Sequence, residues 1–373
     1  MATPELALAG QPQTAVGRIA ALDAFRGLTI AFMVLVNDPG DPGHVYAPLE
    51  HAQWNGWTPT DMVFPSFLWI AGVAMTLSLS KRLAQGVPPR TLFLQVLRRA
   101  AIIFALGLIV YAAPDFNLST QRVMGVLQRI AICYCAGAAI FLSTRVRGQI
   151  IWIAGLLSTY WLLMAFAPVP GYGHGRLDVD GNFAHYVDRV VLGSHNYKYT
   201  KTWDPEGIVS TLPAIATLLF GILGGRMLQM KRRLSEKALR ILFAGAILIA
   251  AGLIFNSWLP INKKLWTTSF ALFMAGTDFA AFAGFLWIVD GLGSRRVFAP
   301  FAILGMNSIT ISMISELLAE VFDAAGAKQA VSRTWLMQAV SPVNASLISA
   351  MAYTGLMFLI AWFMYRRRWI VRV

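Results

Sequence analysis

Long apolar segments, each close to twenty residues, recur from the start of this chain to its end. A bilayer requires about 20 apolar residues per helical crossing. The strands of a membrane barrel are excluded, because they are about ten residues long and alternate apolar with polar side chains. We therefore predict an all-α, polytopic membrane helical bundle of about ten transmembrane helices, with spans at 20–37, 61–80, 95–113, 121–143, 148–167, 208–229, 237–256, 267–291, 297–321 and 344–365.

The composition supports a membrane-embedded chain. Of the 373 residues, 57% are hydrophobic and 13% are charged, whereas soluble domains carry about 25% charged residues. The apolar segments are distributed along the whole chain, so we expect one transmembrane domain at residues 18–373, preceded by a disordered tail at residues 1–17. That tail has no basic residue before a short apolar run, and so it does not resemble a secretory signal.

Lysine and arginine are concentrated in alternate connections of the predicted bundle. They are most frequent after spans two, four, six and eight and at the C-terminus. Because cytoplasmic loops carry the excess of basic residues, this pattern predicts that both termini lie in the cytoplasm. The formal net charge of +13 then reflects topology and attraction to anionic lipids. We expect the lipid bilayer as a partner, and no nucleic acid.

The longest predicted connection, residues 168–207, lies between spans five and six on the outer side. Its histidines, tyrosines and glycines favour a segment that folds over the outer mouth of the bundle, since long loops in compact proteins are usually functional or disordered. The stretch "DVDGN" within it lacks the ligand spacing of a calcium loop. We therefore expect no metal site.

Several ionisable or amide side chains fall within the predicted spans, where they are costly unless they face the interior of the bundle. Arg26 follows Asp23 by one helical turn, which favours a local ion pair over a ligand contact. Arg129 lies about 12 Å into span four, at about 1.5 Å per residue. Asp278 and Asn307 lie near the middle of spans eight and nine. Arg129 and Asp278 either pair with each other or line a polar pathway.

The loop between the first two spans contains the stretch "PLEHAQWNGWTPTD", residues 48–61. His51 is followed by two tryptophans, which favour a membrane–water interface, and Asp61 begins span two. Asn37, at the end of span one, enters the same loop. An imidazole with a nearby amide suits proton abstraction and carbonyl polarisation in acyl transfer. The alternative is a surface histidine without a role, and the residues alone leave both interpretations open.

Six stretches together resemble the heparan-α-glucosaminide N-acetyltransferase family and its bacterial relatives. The first two are "LDAFRGLTIAFMVLVNDPG" and "YAPLEHAQWNGWTPTDMVFPSFLWIAGVAM"; the others are "GVLQRIAICY", "DPEGIVSTLPAIATLLFGILGG", "LPINKKLWTTSFALFMAG" and "LGMNSIT". The resemblance runs from about residue 18 to residue 320, and the HAxWNG block is its most specific part. Among bacterial relatives the chain most resembles the NagX-type inner-membrane proteins, which are associated with N-acetylglucosamine use.

The resemblance implies a multi-pass N-acetyltransferase of a bacterial inner membrane. The catalytic histidine of the family falls on His51, and its asparagine at the end of the first helix falls on Asn37. Acetyl-CoA is then the cytoplasmic co-substrate. A small amino sugar of the glucosamine type is the expected periplasmic acceptor, because the large N-terminal luminal domain of the lysosomal enzymes is lacking. The residues expected to contact substrate or CoA are Arg26, Trp54, Asn55, Asp61, Arg129, Asp278 and Asn307.

A transporter of N-acetylglucosamine is the main alternative, because NagX-type proteins are also regarded as candidate carriers. Polar residues at mid-membrane depth suit a solute path equally well. A carrier needs no imidazole at one mouth, and it often shows inverted repeats or broken helices, neither of which is evident in the sequence. A purely structural protein would leave Arg129, Asp278 and Asn307 unexplained. The assembly state is open, and a homodimer is compatible with the sequence.

Overall fold

The computed structural model describes residues 19–112, 116–326 and 337–371. The predicted tail at 1–17 lies outside these ranges. Within them the chain is helical, and the isolated bridge between Val169 and Gly173 is the one strand-like pairing. The helices are α1 Ala20–Asn37, α2 Val63–Ala84, α3 Pro89–Ala112, α4 Val126–Ser143, α5 Val146–Phe166, α6 Phe183–Leu192, α7 Thr211–Leu228, α8 Leu234–Phe255, α9 Thr268–Phe285, α10 Ala299–Met306, α11 Ser308–Ala324 and α12 Pro342–Arg366.

Nine helical segments in the described part of the chain are long and apolar enough to cross a membrane. They are α1, α3, α4, α5, α7, α8 and α12, together with α2 extended back to Pro59 and α9 extended by a π turn to Gly291. The all-α polytopic class and nine of the predicted spans are therefore confirmed.

The predicted span at 297–321 is wrong as a single straight helix. Its two halves, α10 and α11, meet at an angle of 81°, and Asn307 at the break has φ −119° and ψ 38°. The Asn307 side chain explains the break, because its Nδ2 donates to the carbonyl of Trp369 at 2.9 Å and its Oδ1 accepts from the amide of Val371 at 3.0 Å. Asn307 thus binds the chain beyond α12 instead of lying in the middle of a continuous span.

Glycines allow the central helices to approach at backbone distance. A Cβ atom built on Gly72 of α2 would lie 2.1 Å from the carbonyl oxygen of Leu218 in α7, and one on Gly221 would lie 1.9 Å from that of Trp69. Gly27 brings α1 equally close to Phe301 of α10. Small residues are what membrane helices use for close packing, because lipid supplies no hydrophobic force between them.

Four connections meet at one end of the bundle, which we call the site end. The amide of Gly56, between α1 and α2, donates to the carbonyl of Ile261 between α8 and α9 at 2.8 Å. The amide of Val123, between α3 and α4, donates to the carbonyl of His195 at 3.2 Å. At the opposite end the amide of Ala21 donates to Asp290 at 3.1 Å. The site end is the end for which the charge pattern predicts an outer location.

Candidate functional site

A short turn before α2 buries the carboxylate of Asp61 beside the HAxWNG loop. Pro59–Met62 forms a 3-10 turn, with Thr58 as its N-cap in a capping box with Asp61. The Asp61 carboxylate accepts from the amides of Thr58 at 3.0 Å and Ala52 at 3.2 Å, and its side chain is 1% exposed. A capping box with proline at the first position is a strong turn signal, so the local sequence holds this carboxylate against the loop.

His51 and Asp61 form a hydrogen-bonded pair. Nδ1 of His51 lies 2.7 Å from Oδ1 of Asp61, and the imidazole is 46% exposed. A carboxylate can only accept, so Nδ1 carries the proton in the neutral ring and Nε2 keeps its lone pair. A base held in one tautomer by a buried carboxylate is the arrangement that general-base chemistry requires. The two residues were predicted separately, as catalytic histidine and as substrate contact, and the fold joins them.

Lys263 is a third member of this site, although the charge pattern of the sequence identifies it only as an outer basic residue. It comes from the connection between α8 and α9, and its Nζ lies 3.1 Å from Nδ1 and 3.3 Å from Nε2 of His51. The same Nζ is 3.8 Å from Oδ1 of Asp61. Burial lowers the pKa of Lys263, and the charges of Asp61 and Glu206 offset part of this shift. The sequence pointed to Lys263 in one way only, because "LPINKKLW" belongs to one of the stretches that resemble the family.

The rest of the HAxWNG loop is docked onto the same α8–α9 connection. Oδ1 of Asn55 accepts from Nδ2 of Asn262 at 3.2 Å, and Lys264 donates to the carbonyl of Gln53 at 2.5 Å. These bonds hold the backbone on both sides of Trp54. Asn55, predicted as a substrate contact, here contributes to loop–loop docking, and its contact with substrate stays a prediction.

Trp54 connects the site to the long segment at 168–207. Its Nε1 donates to the carbonyl of Leu177 at 3.1 Å, and its ring meets His185 and Trp203 edge-on at 5.8 and 6.1 Å between centroids. His185 and Trp203 stack at 4.1 Å with an interplanar angle of 12°. His185 is 1% exposed and burial lowers its pKa to about 3, so this imidazole is neutral and packs within the aromatic cluster.

A buried ion cluster fixes the C-terminal part of that segment. Arg122 donates from Nε and Nη2 to the two carboxylate oxygens of Asp204 at 2.8 and 2.6 Å, and from Nη2 to Glu206 at 2.5 Å. Burial favours a raised pKa for Glu206, but the charges of Arg122 and Arg129 outweigh it and hold the pKa below its usual value. Sequence reasoning placed Arg122 at a span end and missed this cluster, because its partners lie about eighty residues further along the chain.

Arg129 and Asp278 are both buried, as predicted from the cost of exposing them to lipid, but they do not pair. Arg129 donates to the carbonyl of Gly207 at 3.0 Å and to the hydroxyl of Ser210, and its guanidinium lies 5.0 Å from the Trp266 ring. Its predicted depth is wrong, because α4 begins at Val126 and Arg129 lies in the first turn. The preceding residues form turns that carry Arg122 to the segment at 168–207.

Asp278 accepts instead from the hydroxyl of Ser66 in α2, at 2.5 Å from Oγ to Oδ1. The second carboxylate oxygen, Oδ2, is buried without a hydrogen-bond partner among the described residues. Ser66 lies five residues after Asp61 on the same turn and helix, which is about 7.5 Å along an α-helix at 1.5 Å per residue. The Ser66–Asp278 pair therefore lies below the His51–Asp61 pair, deeper in the bundle.

Asn37 and Arg26 lie at opposite ends of α1. Asn37 is the last residue of the helix and is exposed at the site end, where α1 packs on the turn Pro59–Met62. Between the described atoms of Asn37 and His51 the structure contains no direct hydrogen bond. Arg26 lies in the second turn, at 3.9 Å from Asp23 in the expected ion pair. Their predicted roles, as oxyanion donor and as phosphate ligand, stay predictions.

Comparisons with known proteins match this chain to one family. The family model for the catalytic region of heparan-alpha-glucosaminide N-acetyltransferase matches residues 18–255, which include His51, Asp61 and Arg129. The mouse heparan-alpha-glucosaminide N-acetyltransferase is 27% identical over 422 residues, covering 96% of this chain and 61% of the mouse protein. The human protein is 28% identical over 412 residues, covering 94% and 59%.

The chain spans about three fifths of the length of these two relatives. The matched region nevertheless contains the HAxWNG loop, the turn that carries Asp61 and the helices α1 to α8. On that match, the chain belongs to the heparan-alpha-glucosaminide N-acetyltransferase family through its catalytic region.

Proposed function

We propose that this chain is a transmembrane N-acetyltransferase, which moves the acetyl group of cytoplasmic acetyl-CoA to the amine of a small amino sugar of the glucosamine type on the periplasmic side of a bacterial inner membrane. The observation that carries the proposal is the His51–Asp61 pair, with 2.7 Å between Nδ1 and Oδ1. His51 begins the HAxWNG block, which is the most specific part of the family resemblance, and its imidazole is partly exposed.

The chemistry of this pair suits attack by an amine on a thioester. His51 accepts the amine proton at Nε2 while nitrogen bonds to the acetyl carbon, and Asp61 stabilises the imidazolium that forms. The carbon–sulfur bond then breaks, and His51 returns the proton to the sulfur. The products are the N-acetylated amine and free CoA. In the alternative order Nε2 itself attacks the thioester and takes the acetyl group as the CoA thiolate leaves. The amine then attacks the acetyl-imidazole, Nε2 is released, and the amine proton goes to the thiolate, so the products are the same, and the proposal includes both orders.

Asn37 is the proposed donor to the developing oxyanion. An amide N–H aimed at a carbonyl oxygen stabilises the charge that appears there in the transition state. The position of Asn37 supports this role, because it ends α1 at the site end, and α1 packs on the turn that carries Asp61. Trp54 and Asn55, which lie in the same docked loop as His51, are the proposed contacts for the sugar.

The donor is proposed to enter from the opposite end of the bundle, where α1 begins. The phosphates of CoA are too polar to cross hydrocarbon, so Arg26 is a proposed phosphate contact at that end, and Asn307 a contact near it. The pantetheine arm is narrow and carries amide groups. Asp278 supports a path for it, since its buried Oδ2 has no partner among the described residues and can accept an amide N–H. Arg129 is the corresponding proposed donor nearer the site end.

A reconstituted assay tests the proposal. Purified protein in liposomes receives labelled acetyl-CoA on one side and glucosamine on the other. We expect labelled N-acetylglucosamine on the side of the acceptor, and no product with His51→Ala. Liposomes that accumulate unmodified N-acetylglucosamine without forming acetylated product would instead establish a carrier.

The carrier is the second candidate because of one observation. Helices α10 and α11 form a broken pair with an angle of 81°, and broken helices form the binding sites of many transporters. In this chain, however, the residue at the break binds the backbone after α12. The polar side chain at the break is therefore bound by the protein itself, and the acetyltransferase accounts for more of the site.

A further inference from the structure

Lys263 contacts both members of the His51–Asp61 pair from a separate part of the chain. It lies 212 residues after His51, and its side chain is 20% exposed. Its Nζ is 3.1 Å from Nδ1 and 3.3 Å from Nε2 of the imidazole, and 3.8 Å from Oδ1 of Asp61. No step of the transfer chemistry described above uses this amine.

The two distances to the ring show how the amine lies relative to it. One carbon, Cε1, separates Nδ1 from Nε2, and an atom in the ring plane at these distances from both nitrogens would overlap that carbon. Nζ of Lys263 therefore lies over the face of the imidazole. The lone pair of Nε2 points outward in the ring plane, so Lys263 leaves that direction open to a substrate.

Charge explains why a lysine is useful at this position. A buried carboxylate close to an imidazole favours the imidazolium form, which has no lone pair and cannot act as a base. An ammonium over the ring opposes that effect, because like charges disfavour each other. The carboxylate of Asp61 and the ammonium of Lys263 therefore act on the imidazole in opposite directions.

Two other charged groups act on this pair or on Lys263. Lys264 is adjacent in the α8–α9 connection, but it donates to the carbonyl of Gln53 at 2.5 Å. The charge of Glu206, before α7, acts on Lys263, and Glu206 is itself bound by Arg122. Among the described residues, the charged atoms in contact with the imidazole of His51 are those of Asp61 and Lys263.

We propose that Lys263 is a positioning residue whose ammonium balances the charge of Asp61 and so keeps His51 as the neutral base. The inference rests on the proposed function and deepens it. Lys263 itself neither gives nor takes a proton in the reaction. The amine proton moves to Nε2 of His51 and then to the sulfur of CoA, so the imidazole is neutral again at the end of each turnover.

The pH dependence of acetyl transfer tests this role. Lys263→Met removes the charge and keeps the aliphatic stem, and Lys263→Gln is a second uncharged variant with the same expectation. We expect the acidic limb of the rate profile to move upward by about one pH unit or more, with the rate recovering to within a few-fold of wild type at higher pH. Lys263→Arg keeps the charge and should keep the limb. Lys264→Met is the matched control and should leave the limb in place.

A chemical readout tests the same point without acetyl transfer. Diethyl pyrocarbonate reacts with neutral imidazole, and peptide mass spectrometry gives the extent of reaction at His51 in each variant. We expect the pH of half-maximal reaction to rise in the uncharged variants by the same amount as the acidic limb. A wild-type protein that reacts in this way but transfers no acetyl group would count against the proposed function alone.

Three results would overturn the role of Lys263. The first is an identical pH dependence of His51 modification in wild type and in both uncharged variants. The second is a loss of rate in those variants that is equal at every pH, which indicates a merely structural lysine. The third is acetylation of Lys263 during incubation with acetyl-CoA. Only a neutral amine can accept the acetyl group, so this result would show that Lys263 does not stay protonated.

Discussion

The imidazole of His51 lies 2.7 Å from the carboxylate of Asp61, and a second histidine in the same loop repeats the arrangement. Nδ1 of His44 lies 3.2 Å from Oδ2 of Asp41. The exposed fractions of the two imidazoles are 46% and 47%, and both carboxylates are buried. Local pairing therefore does not distinguish the two histidines. What distinguishes His51 is its contact with Lys263 and its place in the loop docked between the α8–α9 connection and the segment at 168–207.

This duplication supplies a matched control for the catalytic histidine. We expect His51→Ala to lower the rate of acetyl transfer by at least the 10²–10⁴-fold that general-base assistance usually contributes. His44→Ala removes an imidazole of equal exposure seven residues earlier and should leave the rate within a few-fold of wild type. Rates from reconstituted liposomes, with folding checked by size-exclusion chromatography, give the comparison. Equal and mild losses from the two changes would leave His51 without a catalytic role.

Asp61→Asn should lower kcat more than it changes KM. The amide can no longer stabilise an imidazolium and can donate to Nδ1, which favours the tautomer with Nε2 protonated. In the serine-protease triad the corresponding change lowers kcat by about 10⁴-fold, and we expect a loss of about 10²–10⁴-fold here. Asp41→Asn in the neighbouring pair is the control. A rise in KM with unchanged kcat would indicate that Asp61 only holds the loop.

Asn37→Ala should reduce acetyl transfer without abolishing it. Removal of one donor to an oxyanion typically costs about 10²–10³-fold in kcat. Asn37→Asp keeps the size and removes the donor, so its kcat should fall to a similar extent. Unchanged kcat in both variants would remove Asn37 from the proposed oxyanion site.

Arg122→Met should destabilise the fold. It leaves the carboxylates of Asp204 and Glu206 buried without their cation, and removing one partner of a buried ion pair costs about 3–5 kcal/mol. Thermal unfolding in detergent measures the effect. Arg176→Met removes an exposed pair with Asp178 from the same long segment and should leave the unfolding temperature unchanged. A similar unfolding temperature for both variants would contradict the buried cluster.

The segment at 168–207 should lose stability on acidification because of His185. An unfolded histidine takes up a proton near a pH of about 6.5, as in model peptides, whereas burial lowers the pKa of His185 in the fold to about 3. The unfolded state therefore binds more protons between these values, and stability falls as the pH falls. From about pH 6.5 to about pH 5 the loss is about 2 kcal/mol.

His185→Phe isolates this effect, because Asp188 on the same helix acts in the opposite direction. Burial raises the pKa of Asp188 to about 6, so protonation of its carboxyl favours the fold as the pH falls. Comparing the pH dependence of unfolding in wild type and in His185→Phe removes the contribution of Asp188 from the difference. If the two proteins lose stability in parallel between about pH 7 and about pH 5, His185 is not the acid-sensitive group.

Helical class, most of the spans and the HAxWNG loop could all be predicted from local sequence. Continuous apolar runs of membrane length have one stable solution, a helix, because backbone groups in lipid must bond within their own segment. The turn that presents Asp61 is also local, since Thr58, Pro59 and Asp61 make a capping box within four residues. These features depend on neighbours in the chain, and so a linear pattern contains them.

The break at Asn307 and the partners of the buried charges depend on contacts between distant segments. Asn307 ends α10 because residues 369 and 371 bind its amide, and Arg122 is satisfied by Asp204 and Glu206. Arg129 and Asp278 are both buried, yet each bonds to a different segment. Hydropathy predicts that such groups face the interior of the bundle, but it does not predict which of the buried groups pair with each other.

Local patterns were therefore sufficient for the class of fold and for directing attention to the loop that contains His51, whereas the role proposed for His51 came from the family resemblance. The packing of the folded chain was needed to place Lys263 over the face of His51 and to leave the lone pair of Nε2 open beside a balanced pair of charges. The physical reason is the distance along the chain over which each effect acts. Periodicity and capping act over a few residues, whereas the charge state of an imidazole depends on every ionised group within a few ångströms, and here those groups come from segments about two hundred residues apart.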